Sequence, residues 1–337
     1  MYSENSSVSA VSPYLGNMYQ LFGTRHYQLT DGISNGCRCI DVRTGSGLEY
    51  TVLCDRGLDI SLATYKGFNL TFLTQNAEAH PAFYHSCDAE WMRTFTGGLL
   101  TTCGPNYLSS PCEDEGEKLG LHGRWSSLPA KHICDFTDTE KGEIKISGML
   151  YEAVTMGHKL SIYRSISSKI GESVIMIDDE IKNEGSRAVP LNVLYHINFG
   201  YPFLDENTHI EIPSKTVIGY DEYTNERMNE AKTIRKPYKG AEEKNYLHTF
   251  DGEMVTAKVH NPEFCGGLSV YIRFNSENLP YMTQWVLEDY KDYVLAIEPA
   301  NVPCESRNIL RENGIFPMLE PGEIKKIHVE IEVVSNK

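Results

Sequence analysis

The strongest constraint in this chain is a short-range alternation of apolar and polar residues. Residues 143–150, 159–166 and 173–181 place apolar side chains at every second position, with a turn at Ser168–Gly171. Side chains on a strand alternate faces, so this pattern predicts a meander of antiparallel strands. None of these runs holds a 3.6-residue period long enough for a crossover helix. The same signature recurs at 49–53, 58–64, 67–73, 94–104, 209–217, 254–260, 268–274, 281–287, 293–298 and 326–334. Residues 306–313 read as the best short helix, with Ser306 as cap and Gly314 as stop. Residues 76–93 suggest short helical turns, and the charged stretch 221–245 reads as a long solvated excursion. The expectation is all-β: one large antiparallel β-sandwich over residues 19–337, two sheets face to face, after a loose tail at 1–18. A length of 337 residues would also allow two domains, but no composition break marks a linker.

Charge narrows the partners. With 46 acidic and 31 basic residues the formal net charge is -15. Such a chain repels nucleic-acid phosphates and anionic membrane surfaces, and no basic stripe counters this. No run approaches the roughly 20 apolar residues of a bilayer span. The first 16 residues carry no apolar core of signal-peptide length. Nine Cys without CxxC pairs read as reduced thiols, which sets the expectation of a cytoplasmic protein. A monomer and a homodimer are both compatible with the sequence.

The stretch Val193-Leu194-Tyr195-His196-Ile197-Asn198-Phe199 concentrates the functional signal. Val193, Tyr195, Ile197 and Phe199 make a face fit for burial, while Leu194, His196 and Asn198 share the opposite face. Two hydrogen-bonding groups thus project from a rigid element, which is how sites are mounted; a core His satisfied by a neighbour is the other reading. Further candidates sit on strands or strand ends: Arg56, Asn106, His122, Arg124, Gln284 and Glu298. Glu298 closes an apolar run before Pro299, and partial desolvation there would raise its pKa and suit it to proton transfer. His122 and Arg124, two apart, would face the same way in an extended stretch. Gly97-Gly98 inside a strand-like run suggests a bulge or a close backbone approach.

Phosphate loops, GxSxG, HExxH and paired CxxC are all missing from the sequence. His122, His196 and Glu298 could form a two-His, one-carboxylate metal site, although their spacing has no ligand regularity. Otherwise the polar set could bind a sugar, with Trp91, Trp125 or Trp285 as a stacking face.

Several motifs together resemble one family. Cys54-Asp55-Arg56-Gly57-Leu58-Asp59-Ile60, Leu121-His122-Gly123-Arg124, Leu194-Tyr195-His196-Ile197-Asn198-Phe199-Gly200, Glu298-Pro299-Ala300-Asn301 and Leu319-Glu320-Pro321-Gly322-Glu323 are similar to the aldose 1-epimerase (galactose mutarotase) superfamily, in a divergent branch. The resemblance implies a β-supersandwich and cofactor-free, metal-free mutarotation of an aldose. By position, His196 matches the general acid and Glu298 the general base. Arg56 and His122 match sugar-binding residues, and Gln284-Trp285 falls where further substrate contacts lie. Asn106, Arg124 and Asn198 complete the expected substrate-binding set. The aspartate that grips sugar hydroxyls has three candidates, Asp205, Asp221 and Asp251. Arg56, Arg124 and Arg307 leave room for a phosphorylated or acidic sugar. The other readings are a non-catalytic sugar-binding protein on the same fold and a metal-dependent sugar isomerase.

Overall fold

The computed structural model describes residues 8–336. Two antiparallel sheets dominate it, one of eleven strands and one of eight. The larger runs from its edge strand Gly23–Gln28 through Arg38–Arg43, Leu48–Leu53, Asp59–Tyr65, Leu100–Cys103 and Leu194–Phe199 to Tyr293–Ala300, Tyr281–Glu288, Lys244–Thr249 and Thr216–Gly219. The smaller contains the predicted meander, in which Glu143–Ala153, Lys159–Lys169 and Val174–Asn183 pair in succession, and adds an unpredicted strand, Lys131–Asp138, against the first of them.

Period-two patterning closes the space between the sheets. Ile40, Val52 and Ile60 of the large sheet meet Ile146, Ile162, Ile177 and Val329 of the smaller one in a single core cluster. Val193, Tyr195, Ile197 and Phe199 join this core. Leu194 points the other way, into a second cluster with Phe72, Trp91, Phe95 and Leu121. The middle of the large sheet is therefore covered on both faces, and every residue of Leu194–Phe199 is buried.

The helix forms as expected, over Arg307–Glu312, with Ser306 extended at its cap and Gly314 at φ +67 beyond its end. Three local expectations are corrected. Residues 209–217 are not one strand: His209–Glu211 and Thr216–Gly219 belong to different sheets, because Pro213 between them has no N–H for a ladder. The stretch 221–245 is not merely solvated: Ile234 and Lys244 are buried within it. Residues 8–20 form short helical turns, with Val8 and Met18 packed partly against the core; the rest of the expected tail, residues 1–7, lies outside the described residues.

Gly97 and Gly98 make the close approach read from the sequence. Both are left-handed, at φ +73 and +69. The Gly98 N–H donates to the Phe72 carbonyl at 2.7 Å, and a Cβ on Gly98 would lie 2.5 Å from the Ile60 carbonyl oxygen. We predict that Gly98→Ala costs about 2–4 kcal/mol in urea unfolding, from backbone strain plus a clash with main chain. Gly142→Ala, at φ +64 with open space around its Cβ position, should cost only about 1 kcal/mol. Equal losses would mean that the close approach is not what requires Gly98.

Candidate active site

Strand register brings the two sharpest candidates together. Leu194 pairs with Ala300 and Ile197 with Ile297, a register that sets His196 opposite Glu298. The ladder is interrupted there, since Pro299 offers no N–H. On the other side Glu298 pairs with Thr283 of Tyr281–Glu288. His196, Glu298 and Thr283 thus form one row across three strands, on the face turned away from the main core. His196 Nε2 lies 3.3 Å from Glu298 Oε1.

This row lines a cavity of about 450 Å³. One wall is aromatic. Trp91 stacks on Phe95 at 4.6 Å and meets the His122 ring edge-on at 4.8 Å. The His196 ring lies 5.3 Å from Phe95, 5.5 Å from Trp285 and 6.2 Å from His122. The other wall is polar, with Tyr220, Glu243, Asn245 and Thr283. Tyr220 is held through its hydroxyl, which accepts from the Cys304 N–H at 2.8 Å. Trp285 Nε1–H donates to Glu243 Oε2 at 2.9 Å.

Burial sets the protonation of this cluster. It pushes His196 down to about 3 and His122 down to about 4. It pushes Glu298 well above the ordinary carboxylate range, and the nearby negative charge of Glu243 adds to the effect. Among the described residues no backbone N–H, lysine or arginine donates to the Glu298 carboxyl, so nothing but His196 offsets its desolvation. A carboxylate and an imidazolium sharing one proton are a tautomer of the neutral acid and neutral imidazole, and desolvation favours the neutral form. The His122 Nδ1 accepts from the Ser109 N–H at 3.4 Å, which leaves the proton of the neutral ring on Nε2 as a donor.

Of the sequence candidates, His122, His196 and Glu298 line the cavity, and the other five do not. Arg56 is buried and donates to the Ala79 and Thr94 carbonyls at 3.0 and 2.8 Å. The carbonyl of Asn106 accepts from Arg307 Nη2 at 2.8 Å. Asn198 Nδ2 donates to the Gly97, Gly98 and His196 carbonyls. Gln284 Nε2 donates to the Ala231 carbonyl at 2.8 Å. Its strand presents Thr283 and Trp285 to the cavity, and alternation sends Gln284 to the core face. Arg124 sits apart from His122 because that stretch is not extended: His122 and Gly123 take φ +56 and +71. Arg124 turns outward, 3.7 Å from Glu152.

Of the tryptophans, Trp91 and Trp285 reach the cavity, while Trp125 is buried in the main core with its Nε1–H on the Gly57 carbonyl. None of the three candidate aspartates lines the cavity. Asp221 caps a helical turn through the Thr224 N–H, Asp251 pairs with Lys215 at 2.9 Å, and Asp205 accepts from Asn261 Nδ2. Among the cavity residues the sequence reading missed Glu243, Asn245, Tyr220 and Phe95. Among the described residues, no group of three or more His, Cys, Asp or Glu is arranged to hold a metal ion. No helix among them is long and apolar enough to cross a membrane.

Comparison with known families decides the chain's place. The sequence profile of the family described as a domain of unknown function, DUF4432, matches residues 34–333. The chain belongs to the DUF4432 family. Comparison with curated proteins finds no match. Among solved structures, this DUF4432 chain is similar to a Klebsiella pneumoniae protein provisionally named aldose 1-epimerase, at TM-score 0.87 and 21% identity over 94% of this chain and 86% of that one. A galactose mutarotase-like protein from Clostridium acetobutylicum matches at TM-score 0.64 and 14% identity, covering 94% of this chain and 99% of that one. Galactose 1-epimerase from Lactobacillus acidophilus matches at TM-score 0.62 and 12% identity, covering 93% and 99%. The fold is the mutarotase-like β-sandwich, as the sequence resemblance implied, and identities this low show the fold alone.

The lowered His122 pKa carries a stability consequence. An exposed imidazole takes its proton near 6.5, whereas the folded site refuses it down to about 4. Across that window the denatured chain binds the extra proton, so folded stability falls as pH drops. We predict that His122→Gln removes about 2–3 kcal/mol of the loss between pH 6.5 and 4, read from urea midpoints of both proteins at matched pH. Parallel pH curves for the two would show that His122 is not held neutral.

Proposed function

We propose that this protein is a mutarotase-like enzyme that interconverts the α and β anomers of an aldose by general acid and base catalysis. The observation that carries this reading is the 3.3 Å approach of His196 and Glu298 on the cavity floor, beneath the aromatic faces of Trp91 and Trp285. Ring opening requires one group to take the proton of the anomeric hydroxyl and another to protonate the ring oxygen. The His196–Glu298 pair has one transferable proton between them, which is what this exchange needs. The sugar enters with its hydroxyls against Glu243, Asn245 and His122 Nε2–H, and its C–H face on tryptophan.

The resemblance assigns the base to Glu298 and the acid to His196. That requires the ionic tautomer, one proton shift from the neutral pair that burial favours. The sugar's anomeric hydroxyl, placed between the two groups, donates to the carboxylate and makes this tautomer accessible. After opening, Glu298 carries the proton and His196 is neutral; rotation about the C1–C2 bond and closure reverse both transfers. The substrate supplies both ends of the transfer, so the chemistry proposed needs only these side chains.

Anomer interconversion followed by saturation-transfer NMR or polarimetry tests the reading. We expect acceleration for at least one aldose, insensitive to EDTA. His196→Ala and Glu298→Gln should each lower it by at least about 10²-fold with circular dichroism unchanged. Wild-type rates in either variant would sink the assignment. Binding without acceleration would make the protein a sugar-binding module, and loss of acceleration with EDTA would point to a metal-dependent isomerase.

A further inference from the structure

The cavity is short of positive charge. Its lining contains neither lysine nor arginine among the described residues. The arginines around it are committed elsewhere. Arg56 holds two carbonyls, and Arg307 holds the Asn106 carbonyl and Glu117. Arg311 pairs with Asp114 at 3.0 Å and Arg124 faces Glu152. The two cavity histidines are neutral near pH 7, since burial holds both well below 6.5. The acidic side is well supplied: Glu298 sits on the floor and Glu243 at the mouth.

Glu243 is fixed in a particular way. Trp285 Nε1–H occupies its Oε2, and no hydrogen bond within the described residues engages its Oε1. The next residue, Lys244, is buried and pairs with Glu230 and Glu288, at 2.9 Å each, so the backbone carrying Glu243 is anchored from below. A carboxylate held at a cavity mouth, with one oxygen free and no ion-pair partner among the described residues, accepts hydroxyls and repels anions.

We propose that Glu243 is a charge filter that confines this site to uncharged aldoses and turns away sugar phosphates and uronates. The inference rests on the mutarotase reading and names its substrate class. An anionic substituent entering here would find no counter-charge in the lining and would face the carboxylate of Glu243 at the solvent-exposed mouth. An uncharged sugar offers hydroxyl donors to the free Oε1 and loses nothing to repulsion.

The test is the ratio of kcat/KM for a hexose 6-phosphate, and separately for a uronate, to that for the matching free hexose. It is measured in wild type, Glu243→Gln and Glu243→Lys at low and high salt. Glu243→Gln keeps an acceptor oxygen for Trp285 and removes only the charge. We expect the wild-type ratio to lie far below one. It should rise at least about tenfold in Glu243→Gln, rise further in Glu243→Lys, and rise with ionic strength in wild type, because screening weakens the repulsion. The ratio is informative whatever each variant does to the absolute rate. Equal handling of free and phosphorylated sugar by wild type would overturn the filter while leaving the mutarotase reading intact. So would discrimination that Glu243→Gln and Glu243→Lys leave unchanged. Should no sugar be turned over, quenching of Trp91 and Trp285 fluorescence reads the same ratio as binding. A preference for free sugar that Glu243→Gln relaxes would then uphold the filter without the catalysis, and absence of any binding would overturn both.

Discussion

The guanidinium of Arg164 ties the two sheets together. It is fully buried and rises from the smaller sheet, where Nε and Nη2 grip Asp179 at 2.8 and 2.7 Å. Its Nη1 crosses to the large sheet and reaches Asp59, the Gly57 carbonyl and Thr102 at 2.9, 3.0 and 2.9 Å. Trp125 lies under its plane at 4.7 Å. Losing one partner of such a pair typically costs about 3–5 kcal/mol, because the remaining charge is left dry; burial already pushes Asp59 up to about 6 against the pull of Arg164. The tie lies directly behind the site. Tyr195 donates to Asp179 at 2.6 Å, so the residue next to His196 is fixed from the core side, and His196 is aimed from a strand that cannot turn.

Around that strand, polar groups spend their hydrogen bonds on backbone. Asn198 holds the Gly97-Gly98 turn against the His196 carbonyl. Arg56 holds the Ala79 and Thr94 carbonyls, the second just before Phe95. Gln284 fastens Ala231 on the core face, which backs the strand that turns Thr283 and Trp285 to the cavity. Buried donors bonded to carbonyls are what loops need when they line a pocket instead of lying in solvent. They position the walls, and the histidines, glutamates and aromatic rings form them.

This division explains what the sequence could and could not reveal. Alternation is a local signal, and it identified the central meander, most of the strands around the site and the two faces of Leu194–Phe199, but not the strands Gly23–Gln28, Arg38–Arg43, Lys131–Asp138 and Lys244–Thr249. It also placed Glu298 on a strand whose neighbours are apolar. It did not show that Gln284 would face the core and Thr283 and Trp285 the cavity, since both faces of that strand carry polar and apolar residues. Arg56 stands in a recognisable motif, Asp55-Arg56-Gly57-Leu58-Asp59, but the motif's work is to supply the Gly57 carbonyl and Asp59 to Arg164. Arg164 is distant in sequence, in a strand that reads as ordinary meander. Glu243 was hidden by its surroundings, because a charged stretch looks solvated until Lys244 and Ile234 are seen buried beside it. Partners far apart in the chain leave no spacing to read.

The proposed chemistry and the proposed selectivity follow from the same lack of positive charge. A group that removes a hydroxyl proton must be a stronger base than an ordinary surface carboxylate, and Glu298 becomes one because it is dry and faces Glu243 instead of a cation. An arginine or lysine placed to hold a sugar phosphate within this cavity would lie close enough to stabilise the Glu298 carboxylate. That would pull its pKa back down and weaken it as a base. It would also disfavour a protonated His196 by like-charge repulsion. An anion-binding version of this site would therefore have to put its cation at the far end of the ligand, screened from the pair. Here the groups at the mouth are Glu243 and aromatic rings, and the nearby arginines are turned toward carbonyls and carboxylates in the scaffold. With its cations kept out of the cavity, the site preserves the basicity of Glu298 and has no counter-charge to offer an anionic sugar.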